Sequence, residues 1–245
     1  MPRPVTMDLH IHTCLSPCGA PEMVPTRIVS CALAQQVDAI GICDHNASEN
    51  VRSVQKAAQN SAVKVFGGME ITSREEIHIL ALFEMSEQLD EMQKIVYAAL
   101  PGKNDIAFGE QYIVDSDDYV TSTCNRLLIG ATTLSIDSIV SCIHRLNGIA
   151  VASHVDRPSY SIISQLGIIP EGLELDALEI SQEAGMEACP DDGRFPVVSF
   201  SDAHMLREIG RITTTFAVEA FSINEIRMAI KRIDGRRVVS VNFND

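Results

Sequence analysis

The chain has 245 residues, of which 46% are hydrophobic and 21% are charged, so it can bury a large core and lacks the composition of a disordered protein. Its 33 acidic residues outnumber its 19 basic ones, and the formal charge of −14 excludes a general attraction for long nucleic acids. No stretch approaches the roughly 18 consecutive apolar residues of a membrane span, and the N-terminus has no signal-peptide pattern, so we expect a cytoplasmic protein that is not associated with a membrane.

Short apolar strands alternate with amphipathic helices along most of the chain. Strands are predicted over 5–12, 39–43, 63–70, 78–83, 149–153, 177–181, 197–202, 213–218 and 237–241. Helices are predicted from about Thr26, over 47–59, from Ser86, and over 135–147, 161–167 and 222–233. This alternation predicts a parallel α/β sheet, and the number of strands favours a barrel. We expect one domain over residues 1–245.

The polar segment 101–133 departs from the alternation, because its periodicity is poor and it contains Gly102 and Gly109. We expect an insertion or hairpin-like excursion there. Its acidic cluster at 115–118 is expected to be a solvated loop, since no partner motif accompanies it. The seven cysteines have no CxxC spacing in a chain of this size, and we expect reduced thiols.

Two histidines lie two positions apart in the first strand, in the sequence DLHIHT over residues 8–13. Alternate residues of a strand share a face, so His10 and His12 project together with Asp8. This pair is either a two-imidazole metal ligand or a polar strand end whose groups are satisfied by hydrogen bonds.

Most of the other histidines, and two carboxylates, also lie at the ends of apolar strands. They are His45, His78, His154, His204, Glu70 and Asp202. His78 differs in that it begins its predicted strand, which would place it at the other end unless the strand starts near Glu76. The carboxyl ends of barrel strands converge on one site, where imidazoles with carboxylates suit zinc, manganese or iron better than calcium or magnesium. The number of candidate ligands indicates a multinuclear centre.

Taken together, these motifs resemble the PHP (polymerase and histidinol phosphatase) family of metal-dependent phosphoesterases. The matching motifs, in family order, are Asp8-Leu9-His10-Ile11-His12, Cys43-Asp44-His45-Asn46, Gly67-Gly68-Met69-Glu70, Ile77-His78-Ile79, Ala152-Ser153-His154 and Ser201-Asp202-Ala203-His204. Each motif alone is weak, but the set is specific and spans residues 8 to about 211.

The resemblance implies a distorted (β/α)7 barrel with two to three divalent transition metal ions (zinc, manganese or iron) at the strand ends. It implies a first metal bound by His10, His12, Glu70 and Asp202. Glu70 would bridge to a second metal held by His78 and His154, and a third would be held by His45 and His204. At a position where the family often has histidine, this chain has Cys18, which is either a thiolate ligand or a sign of a loose third site. Asp44 is expected to orient a neighbour.

Three polar residues near these motifs are candidates for binding a phosphate group. They are Ser16, Arg157 and Arg211. Arginine offers paired donors to phosphate oxygens, although a structural ion pair is an equal alternative for each arginine and a structural role is favoured for Ser16. His144, in a predicted helix, is expected to be a structural or surface residue.

The leading hypothesis is therefore hydrolysis of a phosphate monoester on a small metabolite or nucleotide by a metal-bridging hydroxide, with Asp202 as a proton acceptor. A nuclease acting on short oligonucleotides is an alternative. A non-catalytic metal-binding or regulatory module is another. The sequence predicts neither the exact substrate nor the oligomeric state.

Overall fold

A computed structural model describes residues 1–105, 108–182 and 193–244. The strands within these residues are β1 (Arg3–Ile11), β2 (Ala39–Ile42), β3 (Lys64–Thr72), β4 (His78–Phe83), β5 (Tyr112–Val114), β6 (Val120–Thr123), β7 (Ile149–Ala152), β8 (Ala177–Glu179), β9 (Val197–Val198), β10 (Ile212–Val218) and β11 (Arg237–Phe243). The helices are α1 (Pro25–Ala34), α2 (Val51–Ala57), α3 (Ser86–Ala99), α4 (Ile136–Arg145), α5 (Ile162–Leu166) and α6 (Ile223–Ile230). Each lies within or close to its predicted range.

The main sheet is mixed, with the strand order β11-β10-β1-β2-β3-β4-β7-β8-β9. Its parallel pairs are β1–β2, β2–β3, β7–β8 and β8–β9, whereas β4, β10 and β11 run antiparallel to their neighbours. The expectation of a parallel sheet is therefore wrong at the pairings that involve these three strands. Between β3 and β4 the reason is the short connection over residues 73–77, since a parallel crossover needs a dozen or more residues.

The segment that follows β9 turns back onto the end of β1 and almost closes the sheet. His12 N donates to Ala203 O at 2.9 Å, and Ala203 N donates to His10 O at 3.3 Å. Asp8, fully buried, accepts hydrogen bonds from the backbone N–H of Ser201 and Gly210, each at 2.9 Å. The nearly closed barrel confirms the predicted α/β fold of the distorted (β/α)7 type.

Alternate side chains of each strand enter different hydrophobic clusters, as the pleat requires. Ile40 and Ile42 belong to the larger cluster, which includes the apolar faces of α1 to α5. Ala39 and Cys43 belong to a second cluster on the opposite face, together with residues of α6. Helix α4 begins after a residue that can cap it: the Ser135 side chain accepts a hydrogen bond from Ser138 N.

The excursion at 101–133 contains the β5–β6 hairpin, which is bonded to the barrel at several points. Asn46 Nδ2 donates to Leu128 O and Gly130 O, at 2.8 and 2.9 Å. In the acidic cluster, Asp118 accepts hydrogen bonds from the backbone N–H and the hydroxyl of Thr26, in the first turn of α1. Both bonds are exposed, which agrees with a solvated loop, and the Asp118 carboxylate also stabilises a helix N-terminus.

Two further sequence expectations can be compared with the structure. Among the described residues, no helix is both long and apolar enough to cross a membrane. The described cysteines, which exclude Cys189, form no disulfide.

Candidate metal centre

The carboxylate of Glu70 lies in the middle of a group of buried histidines at one end of the barrel. Its Oε1 is 3.1 Å from His78 Nδ1, 3.3 Å from His154 Nε2 and 3.4 Å from His10 Nε2. Its Oε2 is 3.1 Å from His45 Nδ1 and 3.4 Å from His12 Nε2. One carboxylate therefore faces five imidazoles.

His78 reaches this group although it begins its strand. Because β4 runs antiparallel to β3, His78 pairs with Thr72 at the carboxyl end of β3. The strand starts at His78, so the earlier start considered from the sequence is not needed.

The potential ligand atoms form three overlapping clusters, in each of which all atoms lie within 4.8 Å of one another. The clusters are His10, His12, Glu70 and Asp202; His45, Glu70 and His78; and His12, His45 and His204. The first is the set that the sequence predicts for one metal. His45 belongs to both of the other clusters. His154 belongs to none of the three, but its Nε2 lies 3.3 Å from Glu70 Oε1. The individual metal-ligand roles remain predictions.

Several buried polar atoms at the centre have no hydrogen-bond partner among the residues that the structure describes. These atoms are Glu70 Oε1, His45 Nδ1, His78 Nδ1 and His154 Nδ1. The distances between Glu70 and its neighbours are short, but the groups are not aligned as hydrogen-bond donor and acceptor. Such an arrangement is typical of side chains that bind the same cation. Burial of unpartnered polar atoms is costly, so this donor set fits divalent transition metals.

The orientation of His10 depends on Glu179, a residue of β8 that the sequence analysis did not select. His10 Nδ1 is 3.0 and 3.1 Å from the two carboxylate oxygens of Glu179. The carboxylate accepts a hydrogen bond from Nδ1–H, so the lone pair of Nε2 is directed at Glu70 and Asp202. Glu179 also accepts a 3.0 Å hydrogen bond from His154 N. It therefore positions two predicted ligands.

Ser16 and Asp44 have the same effect on His12. The Ser16 hydroxyl donates to Asp44 Oδ1 at 2.7 Å and lies 2.9 Å from His12 Nδ1, so it accepts the Nδ1 proton. It also accepts a hydrogen bond from His45 N at 3.1 Å. Ser16 is buried and uses its hydroxyl in three hydrogen bonds, which favours the structural role over substrate binding, and its binding of substrate remains a prediction. The expected orienting role of Asp44 agrees with these contacts.

Two predicted ligands lie on strained backbone. His154 and Asp202 have φ values of 31° and 49°, in the left-handed region that residues other than glycine seldom adopt. At the second of these loops, His204 Nδ1 donates to Asp202 O at 2.8 Å, so that His204 Nε2 is free to accept a cation. The left-handed turns thus aim side chains at the centre at a local energetic cost.

The charges of the centre are those of a cation site. Burial alone would raise the pKa of Glu70 and Asp202, but the neighbouring histidines hold both well below the usual range. Burial lowers the pKa of His45 to about 3 and that of His204 to about 4, so both are neutral near pH 7. Burial opposes protonation of His12, but the carboxylates of Asp202 and Glu70, which accept hydrogen bonds from the protonated ring and attract its charge, raise its pKa to about 9. A metal would replace that proton.

Arg157 and Arg211 line a cleft of about 570 Å³ that opens beside Asp202 and His204. Arg157 Nη1 donates to Asp202 Oδ2 at 2.5 Å, whereas Arg211 is exposed and its side chain has no ion pair with any described residue. Both arginines are therefore placed next to the candidate metal ligands, and their binding of phosphate remains a prediction.

Cys18 and His144 lie outside the three clusters. Cys18 is exposed, and none of the clusters found among the described residues includes it. Although the residue as a whole is exposed, its sulfur is largely buried. This burial and the charge of Glu70 raise the pKa of the thiol to about 12, which disfavours a thiolate. His144 Nε2 pairs with Asp176 at 2.9 Å, in agreement with the expected structural role.

A model of the PHP domain matches residues 8–165, which is more than half of the chain. The chain belongs to the PHP family. A second model, described as PHP-associated, matches residues 193–233.

The structure resembles several solved structures at low sequence identity. The lesion-specific Endonuclease Q of Pyrococcus furiosus has a TM-score of 0.78 and 20% identity over 99% of this chain, which spans 60% of that protein. A complex of Endonuclease Q with a 27-mer duplex containing an abasic lesion gives a TM-score of 0.76, 20% identity and the same coverage. PsfC of Pseudomonas syringae has a TM-score of 0.62 and 14% identity, over 99% of this chain and 92% of PsfC. These likenesses establish the fold alone. No curated protein matches the sequence.

Proposed function

We propose that this chain hydrolyses phosphate monoesters of a small metabolite or nucleotide. The observation that supports the proposal is the Glu70 carboxylate, which faces five imidazoles and lies beside a cleft lined by two arginines. Such a centre needs cations to balance its buried carboxylates. The cleft supplies further positive charge for an anionic substrate.

The three clusters would hold two to three divalent ions, with zinc, manganese or iron favoured by the imidazole ligands. When bound, such ions lower the pKa of a water molecule and neutralise charge on a phosphoryl group. Glu179 and Ser16 keep the imidazoles in the tautomer that directs Nε2 inward. Asp202, whose low pKa keeps it ionised, is positioned to accept a proton from the attacking water.

Arg157 and Arg211 would hold the phosphoryl group. Arg157 now pairs with Asp202, and a divalent ion on that carboxylate would allow the guanidinium to turn to phosphate oxygens. Arg211, with no ion pair among the described residues, is free to bind a second oxygen. The cleft volume of about 570 Å³ falls within the range of small-molecule sites, and the formal charge of −14 disfavours long polyanions.

A nuclease acting on short oligonucleotides is the second candidate. The likeness to Endonuclease Q over 99% of this chain favours it. This chain spans 60% of that protein, and its cleft beside Asp202 is the part of the candidate site that an oligonucleotide would have to enter.

The test measures phosphate release from monoesters and fragment formation from oligonucleotides, with the full chain loaded with Zn²⁺, Mn²⁺ or Fe²⁺ in separate reactions. The substrates are a panel of phosphorylated metabolites, short RNA and DNA oligomers, and a duplex with an abasic site. We expect at least two tightly bound metals per chain and highest activity on a monoester. Asp202→Asn should abolish turnover, whereas Asp137→Asn, on the exposed side of α4, should not.

Two results would contradict the proposal. A clear preference for an oligomer would replace the monoesterase with the nuclease. Fewer than two bound metals, with no gain in activity on reconstitution, would remove the metal centre on which both candidates depend.

A further inference from the structure

The loop between β7 and α5 presents three side chains to the same end of the barrel. They are His154, Arg157 and Tyr160. Hydrogen bonds fix the loop: Arg157 N donates to His154 O at 2.9 Å, and Ser161 Oγ donates to Arg157 O at 2.7 Å. His78 N donates to Tyr160 O at 2.9 Å, which ties the far end of the loop to β4. The loop therefore holds a predicted ligand, a predicted phosphate-binding group and an aromatic ring in a fixed arrangement.

The ring of Tyr160 stacks on the imidazole of His78. The ring centroids are 4.6 Å apart and the planes differ by 21°. His78 is buried, whereas Tyr160 is 40% exposed. Because one face of the tyrosine ring covers His78, its exposure belongs to the opposite face and the edges. Tyr160 also has a φ of 55°, a conformation that costs energy in a bulky residue and turns the chain so that the ring lies over His78.

A ring that is supported from behind and open in front is suited to stacking against a second planar group. Base–aromatic stacking contributes binding energy without requiring a particular base. We propose that Tyr160 is the stacking platform for the base of a nucleotide whose phosphate is bound at the metal centre. This inference rests on the proposed function and narrows its substrate to a nucleotide.

The spacing distinguishes a nucleotide from a simple aryl phosphate. His78 Nδ1 is 3.1 Å from Glu70, and the tyrosine ring stacks on the face of the same imidazole. A ring stacked on the outer face of Tyr160 lies about 4.5 to 7 Å farther out. An aryl phosphate carries its ring directly on the scissile oxygen, whereas the ribose of a nucleotide extends the reach of the base. A base separated from the phosphate by a ribose spans the gap.

The experiment compares ligands that differ only in the base. Binding of non-hydrolysable phosphonate analogues of 5′-AMP and ribose 5-phosphate to the Mn²⁺-loaded full chain is measured by isothermal titration calorimetry. We expect the AMP analogue to bind about 10-fold more tightly. Tyr160→Leu should make the two affinities equal, and Tyr160→Phe should retain the preference. Phe243→Leu, which changes the aromatic residue of the arginine-lined cleft, should leave the preference unchanged.

Three outcomes would overturn the inference. The first is equal affinity of the two analogues in the unaltered chain. The second is a base preference that survives Tyr160→Leu or is lost with Phe243→Leu, which would place the base elsewhere. The third is loss of metal in Tyr160→Leu with equal weakening of both analogues, which would make Tyr160 a support for His78 alone. Failure of the proposed function is distinguishable, because it abolishes turnover of all monoesters while the base preference in binding persists.

Discussion

Substitution of Glu179 by glutamine should weaken metal binding without unfolding the barrel. The carboxylate is 1% exposed and accepts hydrogen bonds from His10 Nδ1 and from His154 N. Glutamine has the same shape, but its NH₂ group cannot accept. His10 Nδ1 lies 3.0 and 3.1 Å from the two oxygen positions, so the NH₂ group faces the Nδ1 proton in either orientation of the amide. His10 also loses the charge that fixes its tautomer.

The size of the effect follows from the role of Glu179 as the partner of a metal-binding imidazole. Removing such a partner typically costs about 10- to 100-fold in metal affinity or activity, which corresponds to about 1.4 to 2.7 kcal/mol. The lower end is expected if the amide oxygen takes the Oε2 position, where it accepts from both His10 Nδ1 and His154 N, and the upper end if the NH₂ group takes that position. Both keep the residue volume, so the cost in unfolding free energy should stay near that of one hydrogen bond, about 1 kcal/mol.

The assay is a competition titration with a metal-binding dye, run on Glu179→Gln and on Glu174→Gln as a matched control. Glu174 is exposed and lies outside the ligand clusters found in the described part of the chain, so its substitution should leave affinity unchanged. Circular dichroism verifies the fold of each variant. Unaltered metal affinity in a folded Glu179→Gln protein would show that His10 does not depend on this carboxylate and would refute the reasoning.

Four further outcomes are expected. Ser16→Ala should reduce metal content about 10-fold with no change in substrate KM, because the hydroxyl orients His12 rather than contacting substrate. Arg211→Gln should raise the KM of a monoester about 10-fold at constant metal content, measured by steady-state kinetics. His144→Gln should leave metal content, measured by mass spectrometry, unaltered. The raised pKa of His12, about 9, stabilises the metal-free fold below pH 6.5, so the Tm of chelator-treated protein should fall between pH 6.5 and 9. A flat Tm there would contradict the last prediction.

The sequence predicted most of the site because its ligands follow a simple rule. Polar residues that end apolar strands, such as Glu70 and Asp202, are costly unless they meet a partner, and the barrel brings those ends together. His78 is at the start of its strand rather than at the end, because β4 runs in the opposite direction to β3 and hydrophobic periodicity does not indicate strand direction. The length of the β3–β4 connection was the available signal, since residues 73–77 are too few for a crossover.

The groups that orient the ligands were harder to recognise. Glu179 follows the same pattern as Glu70, an acid within the apolar run ALEI, but no motif marked it. Ser16 was placed near substrate because of its position in the chain, and its three hydrogen bonds depend on contacts with Asp44 and His45 that only the folded chain creates. Local sequence can therefore identify the ligand types, whereas tautomers depend on tertiary contacts.

Asn46 links two regions that would be expected to diverge independently. Its side chain donates to two carbonyls of the 101–133 excursion and accepts from Thr72 N, while its neighbour His45 contacts Glu70. Insertions in this family member's excursion are a natural route to new substrates, since loops tolerate change. Here such changes would shift a backbone that abuts a candidate ligand. We therefore expect changes in the excursion that alter substrate specificity to affect metal binding as well. Variants selected for a new substrate should show altered metal requirements.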